Sequence, residues 1–556
     1  MDLGAIVDMV NGWVWSTPLI ILCMGAGIFF SIWTRFFQVR HGKTVAAQLW
    51  HGKESDHGLS SLQSFAMALG GRVGTGNIAG VATAIAMGGP GALFWMWAIA
   101  FLGCGSAFIE DTLAQVYKVK QSGEYRGGPA YYIEKGLGLR WYAIIFAVAT
   151  VVSCGLLLPG IQSNSIAAAF QNGFSIPAWI TGVAVTATLG LVIFGGAKRI
   201  GRVAERVVPF MAIAYIIMAL VVIAVDYDRV PEMFRLVFSS AFGMHEAFGG
   251  IVGSAIAWGV KRGIYSNEAG QGSSPIAAAA AEVKHPAQQG LVQAFSVYID
   301  TLGVCTATGL MLLLSGQYNV QHNASLNVAE LMNKLREVAV MAPEHAQTAM
   351  NAIIENVSSL NIPELAEKLG EAELVNKLRE AAGLGTEFAQ GAVDAIINPI
   401  IDSAYIIRYL PEVMETGPEF TQAAIDTIIP GFGSGFVAIA LFFFAFTTIM
   451  AYAYYAESNV AYLFRGKWSK QSITAVRIGL LCMALFGSTR TATLMWAMGD
   501  IGVGMMAWLN IIAILFLGGV GVKVLRDYER RLKEGGPMTF EPEKIGIMNA
   551  ECWGKD

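Results

Sequence analysis

Two adjacent threonines, Thr447 and Thr448, follow Phe444 at a spacing that places oxygen atoms on one face of a helix. Residues i, i+3 and i+4 share a helical face, so the Phe444 carbonyl and both hydroxyls would point the same way. A hard cation such as sodium prefers several oxygen ligands. Backbone carbonyls freed near Gly70 and Val73 would complete a neutral site of five oxygens, and we predict sodium binding there. Alternatively, both threonines bond only to carbonyls of their own helix.

A second polar stretch, Thr75-Gly76-Asn77, lies in the middle of an apolar block. If these residues open the second half of an interrupted helix, their free N–H groups and the positive end of the helix dipole favour an anion. We therefore predict that they bind the α-carboxylate of an amino acid. Alternatively, Gly76 and Gly80 only allow two helices to pack closely.

The apolar block 240–282 is too long for one bilayer crossing and carries glycines and polar residues in its middle. We predict that its first half ends near Trp258-Gly259, where exposed carbonyls would accept hydrogen bonds from a substrate ammonium group. Gly263 and Ile264 would line the same gap.

Charged residues lie in the same block. Lys261 and Arg262 are costly at membrane depth unless they are paired or hydrated. Glu268 lies within reach along the chain, beside Asn267. These residues predict a cytoplasmic-side gate or a stabilising ion pair formed by Lys261, Arg262 and Glu268, and direct contact with substrate is the alternative.

Two further side chains are placed near the predicted pocket. Gln162 lies with Asn164 and Ser165 inside an apolar block and could hydrogen-bond the substrate, although polar amides also hold membrane helices together. Tyr452 lies one helical turn beyond Thr448 and would cap the pocket.

The composition indicates the surroundings of these residues. Of 556 residues, 54% are apolar and 14% charged, and the mean hydropathy is +0.52, whereas soluble chains are about a quarter charged. An all-α polytopic membrane protein is therefore predicted. The net charge of -4 argues against nucleic-acid binding. The sequence has no HExxH, GxSxG or paired-histidine motif, so we predict neither an enzyme nor a cofactor.

About eleven transmembrane helices are predicted, each at least as long as the roughly 20 residues that a bilayer crossing needs. They are Ser16–Phe37, 59–88, 91–117, 140–170, 177–197, 205–225, 240–282, 287–315, 431–464, 471–487 and 497–522. Lysine and arginine collect in every second loop, beginning with Arg40 and Lys43 after the first helix. This alternation predicts that, in the cytoplasmic (inner) membrane, the N-terminus lies outside and the C-terminus lies in the cytoplasm.

Two of these helices, 59–88 and 240–282, are predicted to be interrupted. Counted from the second helix, they are the first and the sixth of ten. Transporters built from two inverted five-helix repeats have discontinuous helices at such corresponding positions. We therefore predict an inverted 5+5 repeat that is preceded by one extra N-terminal helix.

A polar segment, 317–421, interrupts the apolar pattern on the predicted external side. Its periodicity predicts an external helical insertion that could contact an external partner. The helices predicted in it are Val328–Val340, Ala346–Leu360, Pro363–Ala382 and Phe388–Leu410. The predicted organisation is therefore a first transporter-core part at 1–316, this insertion, a second core part at 422–524 and a cytoplasmic tail at 525–556.

Four stretches of sequence carry a family resemblance: GRVGTGNIAG, RGGPAYYIEKGLG, WGVKRGIYSNEAGQGSSPIAAAAA and the run from FAFTT to AYYAE. Together they resemble the alanine or glycine:cation symporter family, the sodium:alanine symporters, which have a leucine-transporter-like fold. The resemblance covers nearly all of the chain except 317–421 and the tail. It implies sodium-coupled uptake of small neutral amino acids, with the carboxylate on Thr75–Asn77, Gln162 near the substrate, and sodium near Thr447 and Thr448.

The sequence departs from the pattern of that family in three places. The segment 317–421 is not part of the usual pattern, Tyr452 stands where tryptophan is expected, and Ala456 stands where glycine is usual. A changed aromatic residue would alter the side chain that the pocket accepts.

The functional hypothesis is a symporter that imports alanine, glycine or a similar amino acid with sodium as the coupling ion. Within this class, proton coupling through Glu110 or Asp300 is the alternative. An alternative function of a different class is a membrane amino-acid sensor whose external segment binds a partner.

Overall fold

The computed structural model describes residues 3–42, 58–121, 123–244, 252–316, 417–465, 468–535 and 538–553. The elements within these residues are helices, apart from one hairpin in which β1 (Val119–Gln121) pairs antiparallel with β2 (Glu124–Arg126). The four helices predicted within 317–421 lie outside the described residues.

The first eleven α-helices precede residue 226. They are α1 (Leu3–Val14), α2 (Thr17–Trp33), α3 (Phe37–Arg40), α4 (Ser61–Arg72), α5 (Val81–Gly88), α6 (Gly91–Val116), α7 (Pro129–Tyr132), α8 (Arg140–Val152), α9 (Leu158–Phe174), α10 (Ala178–Ile193) and α11 (Gly196–Val225). π-Helical turns at Gly76–Gly80, Ile133–Leu137 and Ser153–Leu157 continue into or extend these helices.

Nine further α-helices complete the described part of the chain. They are α12 (Val230–Ala241), α13 (Val252–Asn267), α14 (Ser274–Ala280), α15 (Pro286–Val297), α16 (Thr306–Ser315), α17 (Pro418–Asp426), α18 (Gly433–Leu463), α19 (Ser469–Ser488) and α20 (Ala492–Glu534). A π-helical stretch, Tyr298–Cys305, joins α15 to α16, and short 3₁₀ helices lie at Tyr227–Arg229 and Pro542–Ile545.

Among the described residues, seven helical stretches are long and apolar enough to cross a membrane. They are Gly91–Val116, Arg140–Phe174, Gly196–Val225, Pro286–Ser315, Gly433–Leu463, Ser469–Ser488 and Ala492–Glu534. Large apolar side chains such as Phe210, Ile478 and Phe516 lie exposed on their outer faces, as a lipid environment requires. The chain is therefore a polytopic all-α membrane protein, as its composition predicts.

The first predicted interruption, within 59–88, is confirmed. Helix α4 begins at a capping box formed by Ser60 and Gln63 and ends at Arg72. Val73 leaves the helical conformation with a ψ of 89°, and the π-helical turn Gly76–Gly80 then leads into α5. The two halves are thus separated at the glycine-rich sequence.

The second interruption exists, but its predicted place near Trp258-Gly259 is wrong. Helix α13 continues through Gly259, Gly263 and Ile264 to Asn267, so the carbonyls of these residues are not at a helix end. Both glycines serve close packing on α6, because a Cβ on Gly259 would lie 2.5 Å from Ala92 O and a Cβ on Gly263 would meet the Ile99 side chain.

The actual break, Glu268–Ser273, contains the residues with left-handed backbone. Glu268 has a φ of 55°, Gly270 of 81° and Gly272 of 86°, and Ser274 begins α14. Left-handed conformations end a helix, whereas a glycine with helical dihedrals does not. The sequence therefore indicated the interrupted helix, and backbone conformation decided which glycines break it.

The interrupted helices lie in the middle of the bundle. Helix α4 packs against α11, α15 and α18, while α13 and α14 pack against α6. Each break is therefore lined by helices that continue past it. The last helix, α20, also continues past 524 to Glu534, so the segment predicted as a tail begins within a helix.

Candidate functional site

The structure brings the five residues of the predicted sodium site together where α4 ends. Thr448 Oγ1 lies 2.9 Å from Gly70 O, 3.3 Å from Val73 O and 3.0 Å from Phe444 O. Thr447 Oγ1 lies 2.9 Å from Phe444 O and 3.4 Å from Gly70 O. Both threonines therefore contact their own helix and also the freed carbonyls of α4. Sodium binding by this group, the threonine site, stays a prediction.

The break in α4 leaves the Gly70 carbonyl accessible to α18. In a continuous helix Gly74 N would donate to that carbonyl, but it donates instead to Asn77 Oδ1 at 2.8 Å. Gly74 also has no room for a side chain, because a Cβ there would lie 2.9 Å from Gln162 Oε1 and would meet the Thr448 hydroxyl. The threonine site and the Thr75–Asn77 stretch are therefore adjacent.

Gln162 and Thr75, both predicted near the substrate, contact each other directly. Thr75 N donates to Gln162 Oε1 at 3.0 Å. The Thr75 hydroxyl is buried and has no hydrogen-bond partner among the described residues. The N–H group and hydroxyl of Thr75 thus lie at the start of the second half-helix, where an anion is favoured.

Asn77 connects the first break to other helices. Its Nδ2 lies 2.6 Å from Asp300 Oδ1, and its carbonyl accepts a hydrogen bond from Thr308 Oγ1 at 2.6 Å. Asp300 also accepts from Ser266 Oγ at 2.9 Å. The Asn77 side chain is therefore occupied by protein partners, and Asp300 bridges the first broken helix to α13.

Two tyrosines lie close to this region. A Cβ on Gly76 would be 3.0 Å from the Tyr265 ring, so the two broken helices touch there. The Tyr265 hydroxyl is buried and interacts with Gln162, although it has no hydrogen bond of normal geometry among the described residues. Tyr452 is fully buried, with its ring centroid 6.1 Å from that of Tyr455. The sequence analysis included Tyr452 but missed Tyr265, which a 3.6-residue count from Arg262 would have placed on the same face of α13.

Lys261 and Arg262 do form an ion cluster, but the predicted pairing with Glu268 is wrong. Lys261 Nζ lies 2.7 Å from Asp500 Oδ2, and Arg262 Nη1 lies 2.6 Å from Asp500 Oδ1. Arg262 also stacks 4.2 Å over the Trp496 ring. Glu268 forms no ion pair with either residue; it lies seven positions after Lys261, about 10 Å along a helix axis, whereas Asp500 pairs with both. Asp500 was missed, although an ionisable residue within a predicted span is itself a signal.

Carboxylates on α6 hold the second break in place. Glu110 accepts hydrogen bonds from Gly270 N at 3.0 Å and from Gly272 N at 3.1 Å. Asp111 accepts one from Ser274 Oγ at 2.9 Å, where α14 begins. The two residues therefore bind the backbone and the first side chain after the unwound segment.

Comparison with known sequences identifies the group of proteins to which this geometry belongs. Residues 1–354 and 393–542 match the profile described as the sodium:alanine symporter family. The matched ranges include both ends of 317–421, so the prediction that this whole segment departs from the family pattern is wrong.

Individual relatives align over nearly the whole chain. A protein of Bacillus subtilis (strain 168) is 49% identical over 550 residues, which are 99% of this chain and 97% of that protein. The sodium/proton-dependent alanine carrier protein of Bacillus sp. (strain PS3) is 44% identical, covering 90% of this chain and 95% of its own. The sodium/alanine symporter of Methanococcus maripaludis is 34% identical, covering 95% and 98% respectively.

Proposed function

Because the chain belongs to the sodium:alanine symporter family, we propose that it imports small neutral amino acids, alanine or glycine, together with sodium. Its relatives are amino-acid carriers coupled to a cation, and the chain is a transporter rather than an enzyme. Sodium as the coupling ion and alanine or glycine as the substrates are the specific parts of the proposal.

The threonine site is the observation that carries this proposal. Its hydroxyls and carbonyls come from α4 and α18, so an ion bound between them would fix the first broken helix against α18. Neutral oxygens suit a monovalent hard cation. The adjacent Thr75 N–H would then be held in position for the substrate carboxylate. Substrate would raise sodium affinity by the same factor, because binding coupling is reciprocal.

The substrate is proposed to lie between the two breaks. Thr75, Gly76 and Gln162 would contact its carboxylate end, and Tyr265 and Tyr452 would bound the space for its side chain. The bulk of these two aromatic rings favours a small side chain. Gly259, Gly263 and Ile264 take no part in this version of the site, because α13 is continuous through them.

The proposed architecture is eleven spans, arranged as an inverted 5+5 repeat after one extra helix, with the N-terminus outside and the C-terminus in the cytoplasm of the cytoplasmic membrane. Transport would occur by alternating access around the two breaks. In this topology α13 runs inward from the external side, so the cluster of Lys261, Arg262 and Asp500 would close the external path and not the cytoplasmic one. The proposed core parts remain 1–316 and 422–524.

The test is uptake of labelled alanine into proteoliposomes under an inward sodium gradient, compared with an equal potassium gradient. Accumulation only with sodium supports the symporter. If alanine fails while glycine, serine or glutamine competes for a sodium-dependent signal, the coupling stands and the proposed substrate is wrong. Absence of transport for every amino acid would contradict the proposal and favour a sensor.

Proton coupling is the second candidate function, because two relatives carry both sodium and proton dependence in their names. Asp300 is the residue that favours it here, since it contacts Asn77 at the first break and Ser266 on α13. Alanine uptake driven by an imposed proton gradient in sodium-free buffer, and lost in Asp300→Asn, would select this mechanism. Uptake that does not change with the proton gradient would exclude proton coupling.

A further inference from the structure

Glu268 opens the unwound segment between α13 and α14 and carries a fully buried carboxylate. Its N–H donates to Ile264 O at 2.9 Å, and its carbonyl accepts from Gln271 N at 3.0 Å. Neither carboxylate oxygen has a hydrogen bond of normal geometry among the described residues, although the Ser273 hydroxyl is near enough to interact with the carboxylate. The backbone is therefore held in place while the carboxylate keeps room for a further ligand.

Three polar side chains in the same region as Glu268 are also buried without a hydrogen bond of normal geometry to any described residue. Gln271 and Ser273 belong to the same unwound segment and are fully buried, and neither their amide atoms nor their hydroxyl has a partner among the described residues. The hydroxyl of Tyr455, on α18, is also buried and unpartnered there. It faces α4, because a Cβ on Gly71 would lie 2.7 Å from it. The charges of Glu268, Arg72 and Asp111 all act on that tyrosine, so it belongs to the same buried charged cluster.

One nearby cation, Arg72, is shared between Glu268 and other carboxylates. Four buried carboxylates, those of Glu110, Asp111, Glu268 and Asp300, each interact with the guanidinium of Arg72. The closest pair among them is Arg72 Nη2 with Asp111 Oδ2, at 4.0 Å, and Arg72 Nε and Nη2 have no hydrogen-bond partner among the described residues. One cation thus faces four carboxylates, while the two basic residues of α13 are engaged by Asp500.

The other carboxylates of this group differ from Glu268 in having protein donors. Glu110 accepts from Gly270 N and Gly272 N, and Asp300 accepts from Asn77 Nδ2. A buried charge without such donors is strongly unfavourable in a membrane protein unless a counter-ion meets it. The free oxygens at Glu268 therefore point to a ligand of positive charge.

We propose that Glu268, Gln271, Ser273 and Tyr455 form a second sodium site, the Glu268 site. Its ligands would be carboxylate, amide and hydroxyl oxygens, which a hard cation prefers. Unlike the neutral threonine site, it carries a negative charge of its own. Both α18 and the segment after α13 contribute ligands to this site. A sodium ion bound there would therefore hold the second broken helix against α18. The threonine site holds the first broken helix against the same α18. The inference rests on the proposed sodium symport.

Equilibrium binding of radioactive sodium to the purified full-length protein in detergent counts the sites without requiring transport. We expect the native chain to bind two sodium ions, Glu268→Gln one, and Thr448→Val one. Glu205→Gln is the control, because this carboxylate on α11 accepts from Gln63 near the start of α4, away from both proposed sites, and it should retain both ions. If Glu268→Gln does not remain folded by size-exclusion chromatography, Tyr455→Phe replaces it and should weaken one of the two sites about tenfold.

Binding of a single sodium ion by the native chain, lost in Thr448→Val and retained in Glu268→Gln, would overturn the Glu268 site. Retention of both ions by Glu268→Gln and Tyr455→Phe would overturn it as well. Alanine transport measured beside binding separates the two proposals. Symport with one bound sodium contradicts only the Glu268 site, whereas binding of two ions without transport of any amino acid contradicts only the symporter.

Discussion

Thr448 makes more oxygen contacts across the first break than Thr447 does. Its hydroxyl lies within 3.3 Å of the Gly70 and Val73 carbonyls, whereas that of Thr447 lies 3.4 Å from the Gly70 carbonyl alone. We expect Thr448→Val to raise the sodium concentration that gives half-maximal alanine uptake about tenfold or more, and Thr447→Val to raise it less. Valine keeps the shape of the side chain and removes only the hydroxyl. Sodium titration of proteoliposome uptake measures both effects.

Thr150 provides the control for that comparison. It is buried, and its hydroxyl donates to Phe146 O at 3.0 Å within its own helix, as Thr448 also does to Phe444 O. Thr150→Val should leave the sodium dependence unchanged. If Thr150→Val and Thr448→Val shift the sodium dependence equally, the effect of Thr448→Val comes from losing a hydrogen bond within the helix and not from losing a sodium ligand.

Asp500 balances two basic side chains at once. Asp500→Asn would leave Lys261 and Arg262 without their counter-charge in a buried place, and breaking such a pair destabilises a protein by about 3–5 kcal/mol. We expect a clearly lower melting temperature in detergent, read by light scattering or intrinsic fluorescence. Glu541→Gln, which removes a surface partner of Lys544 and Arg531, should leave the melting temperature nearly unchanged. Equal melting temperatures in the two variants would contradict the role given to Asp500.

Residue types predicted part of the site well. Thr447, Thr448, Gly70 and Val73 could be placed together because helical spacing and a glycine-rich break are both visible in one sequence. The partner of Arg262 could not be predicted from the sequence, because that contact depends on how α13 and α20 pack together. Distances along the chain favoured Glu268, and tertiary packing selected Asp500.

At the scale of the helix, the unwound segment between α13 and α14 depends on its glycines. Gly272 has a φ of 86°, and a Cβ there would lie 2.9 Å from Asn510, Phe146 and Pro129 atoms. Gly272→Ala should therefore destabilise the protein by about 1–3 kcal/mol or more. Thermal unfolding in detergent measures this loss of stability, and alanine uptake should fall with it.

Gly253 is the matched control on α13. A Cβ there meets no atom within 4 Å, so Gly253→Ala should be neutral or stabilise the helix by up to about 1 kcal/mol. Similar melting temperatures for the alanine variants of Gly253 and Gly272 would show that the break tolerates a side chain and that its backbone conformation is not required.

The two breaks differ in how far the sequence could predict them. In the first, glycines and polar residues coincide with the end of α4, so composition was sufficient. In the second, Gly259 and Gly263 are followed by Gly270 and Gly272. The earlier pair packs on α6 and the later pair bends the chain, and that difference follows from contacts with other helices.

At the scale of the whole molecule, the last described residues fold back onto the ends of the central helices. Trp553 Nε1 donates to Gln115 O at 2.9 Å, and Lys118 Nζ lies 4.8 Å from the Trp553 ring centroid. Phe540 packs between Trp553 and His285, with ring-centroid distances of 5.3 and 5.1 Å. The C-terminal segment therefore contacts the end of α6 and the start of α15.

His285 makes this docking sensitive to pH. It caps α15, accepting from Ala287 N at 3.2 Å, and its Nε2 lies 3.2 Å from Asp527. Burial lowers the pKa of His285 from 6.5 to about 4, opposed by Asp527 and assisted by Arg531. Because the folded pKa lies below the unfolded one, neutral His285 stabilises the folded state; this contribution is complete above about pH 6.5 and is lost as the pH falls towards 4.

We therefore expect the C-terminal segment to loosen between pH 6.5 and 4. A nitroxide label on Met548→Cys, an exposed position in this segment, reports its mobility by electron paramagnetic resonance once Cys482 and Cys552 are replaced by serine. Mobility should increase as the pH falls through this range. His285→Asn keeps a side chain that can cap α15 but does not titrate, so its label should respond much less. The same response in both proteins would show that groups other than His285 cause the effect.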